Sequence, residues 1–233
     1  KISLKNKFPI EMFPNCQGKW SRKGYMINRV RFTDVRYLDI INLHLIHDSN
    51  FLQSINSPLF YPKYRKLQLM HIVEKLVELN SDSSVLCGDF NFRTSVCDLL
   101  KSFYSSYTIE IDSEISKELK LRGSGDPEVS AFITVKEIRL KASLLPNDEE
   151  KLSKYRQCDK ELENFNYFFE EIPINFMPTY CYSDNCQSVK YNETRCPSWC
   201  DRILFRGIIA KDIRDIRSTV KYDTFGKKRL LVI

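Results

Sequence analysis

Three short stretches place polar side chains directly after apolar runs, the position where ligands bind in open α/β folds. In "INLHLIH" (41–47), Asn42 and His44 are two apart, so in a strand an amide and an imidazole share one face at its C-terminal end. Such an imidazole can move a proton near neutral pH or be a core histidine bonded to backbone, and His47 reads as structural or exposed. In "GDFNFR" (88–93), Asp89 and Asn91 also share a face, while Phe90 and Phe92 point the other way and anchor the backbone. A carboxylate beside an amide suits a hard, oxygen-seeking cation such as Mg²⁺, or holds a water for attack; the same residues also form plain turns. In "RCPSWCDRIL" (195–204), Asp201 is the only acid among bulky neighbours at the mouth of an apolar run. It is either a placed charge or half of a structural ion pair with Arg202 or Arg195.

Two weaker signals accompany these. Lys19, Arg22, Lys23, Arg29 and Arg31 flank the first strand, with Gly24 allowing close approach of backbone to a ligand, although a charge run is usually a solvated face. Cys181, Cys186, Cys196 and Cys200 suggest zinc, but the spacings CxxxxC and CxxxC miss the usual CxxC knuckle.

The elements that must hold these groups can be read from periodicity. "YMINRVRF" (25–32) and "YLDIINLHL" (37–45) form a hairpin with "TDV" at its turn. From Tyr64 to Asn80, Leu67, Met70, Val73, Leu76 or Val77, and Leu79 recur at helical spacing, and Val85 to Cys87 make a short buried strand ending at Gly88. Strand, helix, strand is the grammar of a layered α/β fold. Residues 94–172 read as mostly helical but irregular, with "GSGDPE" (123–128) as a break and "LENFNYFFEEI" (162–172) as a helix or turn with an aromatic face. "PINFMPTY" is extended by its prolines, and the tail from Gly207 alternates enough for one or two strands.

The chain has 233 residues, 42% hydrophobic and 28% charged, enough for one large domain, 1–233, with a substantial core. A net charge of +6 spread among 30 acidic residues favours an anionic ligand over wholesale nucleic-acid coating, so no nucleic-acid partner is expected. Eight cysteines without a dense framework or signal peptide read as cytosolic free thiols. No apolar run approaches the ~20 residues of a membrane span. A start at Lys1 and an ending on "RLLVI" lead us to expect a piece truncated at both ends.

Together, "LCGDFNFR" and, about a hundred residues later, "RCPSWCDRIL" resemble the paired signature of the inositol polyphosphate 5-phosphatases, of the Mg²⁺-dependent endonuclease/exonuclease/phosphatase superfamily. "INLHLIH" is similar to the family's strand ending in Asn-x-His-Leu, "RKG" (22–24) to its Asn-Lys-Gly turn, and "MPTY" (177–180) to its Pro-Thr-Tyr stretch. The resemblance covers essentially the whole chain and looks closest to the type I branch, which prefers soluble inositol phosphates.

That resemblance implies an α/β fold, a four-layer sandwich with two central mixed β-sheets and the site at one rim. It implies that His44 contacts the scissile phosphate, Asp89 orients or deprotonates the attacking water, Asn91 holds the phosphate or that water, and Asp201 belongs to the metal and phosphate network. Arg195 would reach a neighbouring phosphate, Lys23 and Tyr180 would line the substrate site, and Arg93 and Arg202 would brace loops. Pro197 and Trp199 would lock the loop that carries Asp201. The implied activity is Mg²⁺-dependent removal of the 5-phosphate from Ins(1,4,5)P₃ and Ins(1,3,4,5)P₄, ending a calcium signal, by a cytoplasmic monomer or one held peripherally at the plasma membrane through a further C-terminus. The family's Asn and Glu metal ligands and its Asp-His pair have no match here, where the histidines are His44, His47 and His71, so the main Glu ligand is expected outside this chain. Lipid-handling members carry lysines where Cys181 and Glu193 stand, which points away from a membrane phosphoinositide. A nuclease of the superfamily and an inositol-phosphate-binding remnant without turnover are the alternatives.

Overall fold

The computed structural model describes residues 2–14, 22–31, 36–111, 118–183, 190–216 and 218–224. Lys19, Cys186, the "TDV" turn and the "RLLVI" ending lie outside them. Strands β1 (Ile2–Lys7), β2 (Gly24–Arg31) and β3 (Tyr37–His44) run antiparallel in that order, so the expected hairpin is present and gains an outer strand. The short helix α1 (Phe51–Asn56) and the long helix α2 (Phe60–Glu78) then cross to β4 (Ser83–Asp89), which lies parallel to β3. A parallel partner requires such a crossover. After α2, Asn80 turns left-handed (φ 49°), its N–H bonds to the Val77 carbonyl and that of Ser81 to the Leu76 carbonyl, which closes the helix and starts β4.

Residues 94–172 hold a second sheet rather than mostly helix. Helix α3 (Val96–Phe103), capped by the Ser95 side chain, is followed by β5 (Tyr107–Ile111), β6 (Leu119–Gly123), β7 (Ala131–Ile133) and β8 (Ile138–Leu140), all antiparallel, and by α4 (Glu149–Gln157), capped by Asp148. The strands are three to five residues long, with charges at outward positions, so their alternation is too short to stand out. The stretch 162–172 contains a 3₁₀ turn, Glu163–Phe165, that buries Phe165 and Phe169. β9 (Asp201–Gly207) completes the first sheet, in the order β1-β2-β3-β4-β9. Over its described residues the tail then forms helix α5 (Ile208–Ile216) in place of an expected strand, because Gly207 at φ 77° ends the extended run, and the rest of that expectation, 225–233, lies outside the described residues. The α/β two-sheet architecture is therefore present, with the first sheet mixed and the second antiparallel among the described residues.

Each sheet has its own core. Tyr25, Ile27, Ile41, Leu43, Leu86 and Leu204 from one face of the first sheet pack on Leu69, Ile72, Val73 and Leu76 of α2. Leu119, Leu121, Ala131, Ile133 and Ile138 pack on Leu99, Leu100, Leu152, Tyr155 and Trp199. The buried stripe of α2 differs from the apolar one expected: Arg65 and Gln68 are inside, while Leu67 and Val77 are exposed. Gln68 accepts from the Ile46 N–H at 3.0 Å and donates to the Met12 carbonyl at 3.1 Å, and Arg65 is neutralised by Asp48 and Glu161, each at 2.6 Å. Both polar groups are satisfied, which makes their burial tolerable. On the opposite face of the first sheet Met26, Ile40 and Ile203 are partly exposed among the described residues.

Candidate active site

The strand register carries one row of residues across the face of the first sheet opposite α2: Lys7, Gly24, His44, Asp89 and Asp201 are successive partners in β1, β2, β3, β4 and β9. Residues far apart in sequence thus meet through backbone pairing alone. Two glycines make the row possible. A Cβ on Gly24 would sit 2.4 Å from the Asn6 carbonyl oxygen, so its small size serves the approach of β1 rather than of a ligand. A Cβ on Gly88, at φ 131°, would sit 2.2 Å from the Leu43 carbonyl oxygen, so β3 and β4 close up only at glycine.

His44 Nε2 lies 3.2 Å from Asp89 Oδ2 and 2.5 Å from Lys23 Nζ. Lys23 is buried just ahead of Gly24, and that burial, outweighing the pull of Asp89 and helped by Arg93, Arg22 and Arg65, lowers its pKa to about 8. Burial alone would raise the Asp89 carboxyl; the His44 ring, the Asn91 N–H and Lys23 together outweigh it and hold Asp89 below the ordinary carboxylate range. Asp201 goes the other way. Burial first, then the negative charge of Asp89, push it up to about 6, against weaker pulls from His44 and Arg93. Two facing carboxylates driven apart in pKa are a recurrent arrangement of acid–base sites.

Neither structural ion pair considered for Asp201 forms. Arg202 points to the other face of β9, bonding Glu171 and, at 2.7 Å, Asp159, so it braces as expected. Arg195 donates to the Lys136 and Thr194 carbonyls, each at 2.7 Å, with its guanidinium 5.3 Å from the Phe51 ring centre. The loop ahead of Asp201 is fixed: Trp199 is buried and donates to the Phe176 carbonyl at 3.1 Å, and the Pro197 carbonyl accepts from Thr94 Oγ1 at 2.7 Å.

Asn91 stands where strand alternation no longer applies. β4 ends at Asp89, and Asn91 is left-handed (φ 53°), its N–H capped by Asp89 Oδ1 at 2.9 Å. Its side chain donates to the Leu45 carbonyl at 3.0 Å and accepts from Arg93 at 2.7 Å, so it ties the ends of β3 and β4 together. Phe90 and Phe92 are both buried, with ring centres 5.4 Å apart.

Arg93 is the group that sequence reasoning undervalued. Its guanidinium lies 4.3 Å from the Tyr180 ring centre, its Nε is buried without a hydrogen-bond partner, and no carboxylate pairs with it among the described residues. Glu161 holds its backbone N–H at 2.9 Å while also binding Arg65. A cavity of about 280 Å³ opens beside it, lined by Arg93, Thr94, Tyr180, Arg195 and Ser198 among others. Tyr180 and Arg195 therefore line this cavity, whereas Lys23, His44, Asp89 and Asp201 do not.

No group of three or more His, Cys, Asp or Glu side chains among the described residues could by itself hold a metal ion, and Cys186 of the zinc reading lies outside those residues. The pair Asp89 and Asp201 nevertheless suits a hard divalent cation. Both offer oxygen donors, Asp201 lacks a cationic partner among the described residues, and a positive ion would relieve the repulsion that raises its pKa. Mg²⁺ commonly takes only one or two carboxylates and completes its shell with water and phosphate oxygens.

The model of the endonuclease/exonuclease/phosphatase family 2 matches residues 11–227, which include Lys23, His44, Asp89 and Asp201. The chain belongs to that family. It is 31% identical over 235 residues to inositol polyphosphate-5-phosphatase A of Canis lupus familiaris, covering 95% of this chain and 56% of that protein. It is 30% identical over 241 residues to the probable type I inositol 1,4,5-trisphosphate 5-phosphatase of Caenorhabditis elegans, covering 86% of this chain and 58% of that one. A solved structure, the inositol polyphosphate 5-phosphatase domain of SPSynaptojanin with inositol (1,4)-bisphosphate and calcium ion, overlays on 88% of this chain and 46% of its own at 19% identity and TM-score 0.49. The chain spans about half the length of the curated relatives it matches.

Proposed function

We propose that the chain carries the phosphate-cleaving row of a Mg²⁺-dependent phosphomonoesterase that removes the 5-phosphate from soluble inositol polyphosphates such as Ins(1,4,5)P₃ and Ins(1,3,4,5)P₄, ending a calcium signal. The observation that carries the reading is the single register row His44–Asp89–Asp201, within a chain whose relatives are named inositol polyphosphate 5-phosphatases.

A phosphate monoester bears about −1.5 to −2 charge near neutral pH, so repulsion of a water nucleophile is the main obstacle. Lys23, Arg93 and the His44 ring set positive or donor groups around the row, where low dielectric strengthens them. Asp89 is ionised at neutral pH and fixed by the Asn91 N–H and His44, so it can orient a water and accept its proton, a contribution of typically ~10²–10⁴-fold. Asp201, with Asp89 beside it, would hold Mg²⁺, which supplies Lewis-acid charge to the phosphoryl oxygens when bound. Tyr180, Arg195 and Arg93, which line one cavity, would receive the substrate's other phosphates, Arg195 as a planar fork suited to them. The absence of lysine at Cys181 and Glu193 supports soluble substrates over membrane phosphoinositides.

The test is product analysis with Mg²⁺ and three substrates: Ins(1,4,5)P₃, Ins(1,3,4,5)P₄ and plasmid DNA. Loss of the 5-phosphate alone, with DNA uncut, is expected. Cleavage of DNA would favour a nuclease, and binding of Ins(1,4,5)P₃ without phosphate release would favour a non-catalytic module; either result overturns the proposal.

A further inference from the structure

The acids and bases that line the cavity of about 280 Å³ fall into pairs of very different strength. Asp48 and Glu161 are both taken by Arg65, at 2.6 Å each and away from water, so none of the three is available to a ligand. Arg93 and Arg195 have no carboxylate partner among the described residues, and Arg195 spends only Nη1 on the Lys136 and Thr194 carbonyls, which leaves Nε and Nη2 to an anion. Between these extremes, Lys160 Nζ lies 3.1 Å from Asp98 Oδ2, with the two side chains 50% and 34% exposed. Glu163, the remaining acid of the lining, is exposed to water.

With its 5-phosphate at the row, Ins(1,4,5)P₃ brings two further phosphates and Ins(1,3,4,5)P₄ brings three. We propose that Lys160 is the residue that discriminates between them: Arg93 and Arg195 receive two phosphates, Lys160 leaves Asp98 for the third, and Asp98 sets how strongly the more phosphorylated ligand is preferred. The inference rests on the proposed function for the placement of the 5-phosphate. A carboxylate offers one negative charge and a phosphate monoester about −1.5 to −2, and an exposed ion pair is a weak competitor for a lysine. Asp98 is not stranded by the exchange. It stands in the first turn of α3, where the helix end favours negative charge, and its exposure lets water replace the ammonium. The backbone of Lys160 is fixed on both sides: Asp159 binds Arg202 at 2.7 Å, while Glu161 binds Arg65 and accepts the Arg93 N–H at 2.9 Å. The side chain therefore swings from a rigid base that is itself tied to Arg93. A lysine suits this role because its ammonium is a point charge on a flexible stem.

Isothermal titration of the 233-residue chain with Ins(1,4,5)P₃ and with Ins(1,3,4,5)P₄, in chelator so that neither ligand is consumed, reads the ratio of the two affinities. Asp98→Asn should move that ratio about fivefold towards Ins(1,3,4,5)P₄, the upper range for release from an exposed ion pair. Lys160→Met should move it about tenfold the other way, the loss of one hydrogen bond to a charged group. Lys66→Met, which removes the same charge from an exposed site outside the cavity, should leave the ratio as it is in the wild type. A ratio unchanged in Asp98→Asn or Lys160→Met, or changed as much in Lys66→Met, overturns the inference and leaves phosphate release from Ins(1,4,5)P₃ standing as the test of the proposed function. Binding of neither ligand overturns it as well. The predicted shifts without phosphate release would support the inference and count against the row alone.

Discussion

Burial, and after it the charge of its register partner Asp89, push up the Asp201 carboxyl, and this should be visible without any substrate. The ordinary carboxyl value is 3.8 and the folded one about 6, so between those pH values the folded state binds more protons than the unfolded one. Stability contributed by this group is therefore present below pH 4 and lost as pH rises to about 6. Asp201→Asn removes the titration. In chelator at pH 8 it should be more stable than wild type by about 1 kcal/mol, a figure already reduced for solvent screening, with the two equal at pH 3.5. Urea unfolding at the two pH values checks this, and a variant less stable at pH 8 would contradict the assigned upward shift. Asn91 poses a different problem, since its left-handed backbone is strained for any residue with a Cβ that lacks its hydrogen bonds. Asn91→Ala should cost about 2 kcal/mol, and Asn91→Gly about 1 kcal/mol less than that, although glycine removes more of the side chain. Equal losses in denaturant titration would show that the φ angle is not what Asn91 is there for.

At the scale of elements, two supports hold the row in place. Gly88→Ala would drive a methyl into the Leu43 carbonyl at the β3–β4 junction, and the closeness of that contact predicts a loss above ~3 kcal/mol, or failure to fold, in thermal melts. Arg65→Met would leave Asp48 and Glu161 as uncompensated buried charges, at a cost of about 3–5 kcal/mol; a loss below ~1 kcal/mol would mean that the network is not what secures the loops at 46–48 and 93. The sequence made the hairpin and α2 legible because their alternation and helical spacing run for eight or more residues, and β4 because its short apolar run ends at Gly88. It concealed β6, β7 and β8, whose three to five residues give alternation no length, and α5, where one left-handed glycine converts an isoleucine-rich strand into a helix. Arg65 was hidden for a third reason: an arginine in a helix reads as solvated until its two acids, 17 residues before it and 96 after it, are seen to converge on it. His44, Asp89 and Asp201 were legible by residue type and by their place after apolar runs, whereas their alignment in one row depends on pairings between β3, β4 and β9 that no local pattern encodes.

On the scale of the whole molecule, the first sheet buries one face against α2, and the row lies on its other face, where Met26, Ile40 and Ile203 are partly exposed among the described residues. The two cores meet at the loop 195–200, where Trp199 anchors in the second core and Asp201 begins the last strand of the first, so the loop transmits the rigidity of both to one carboxylate. The most direct measurement is Mg²⁺-dependent phosphate release from Ins(1,4,5)P₃ by the wild-type chain beside Asp201→Asn, with the fold of the variant verified by its unfolding curve. The row as described predicts release by the wild type and a fall of at least ~10²-fold in the variant, of the order seen when a charge-stabilising or acid–base group is removed. Release that survives the substitution would contradict the assignment of this row as the site of phosphate cleavage.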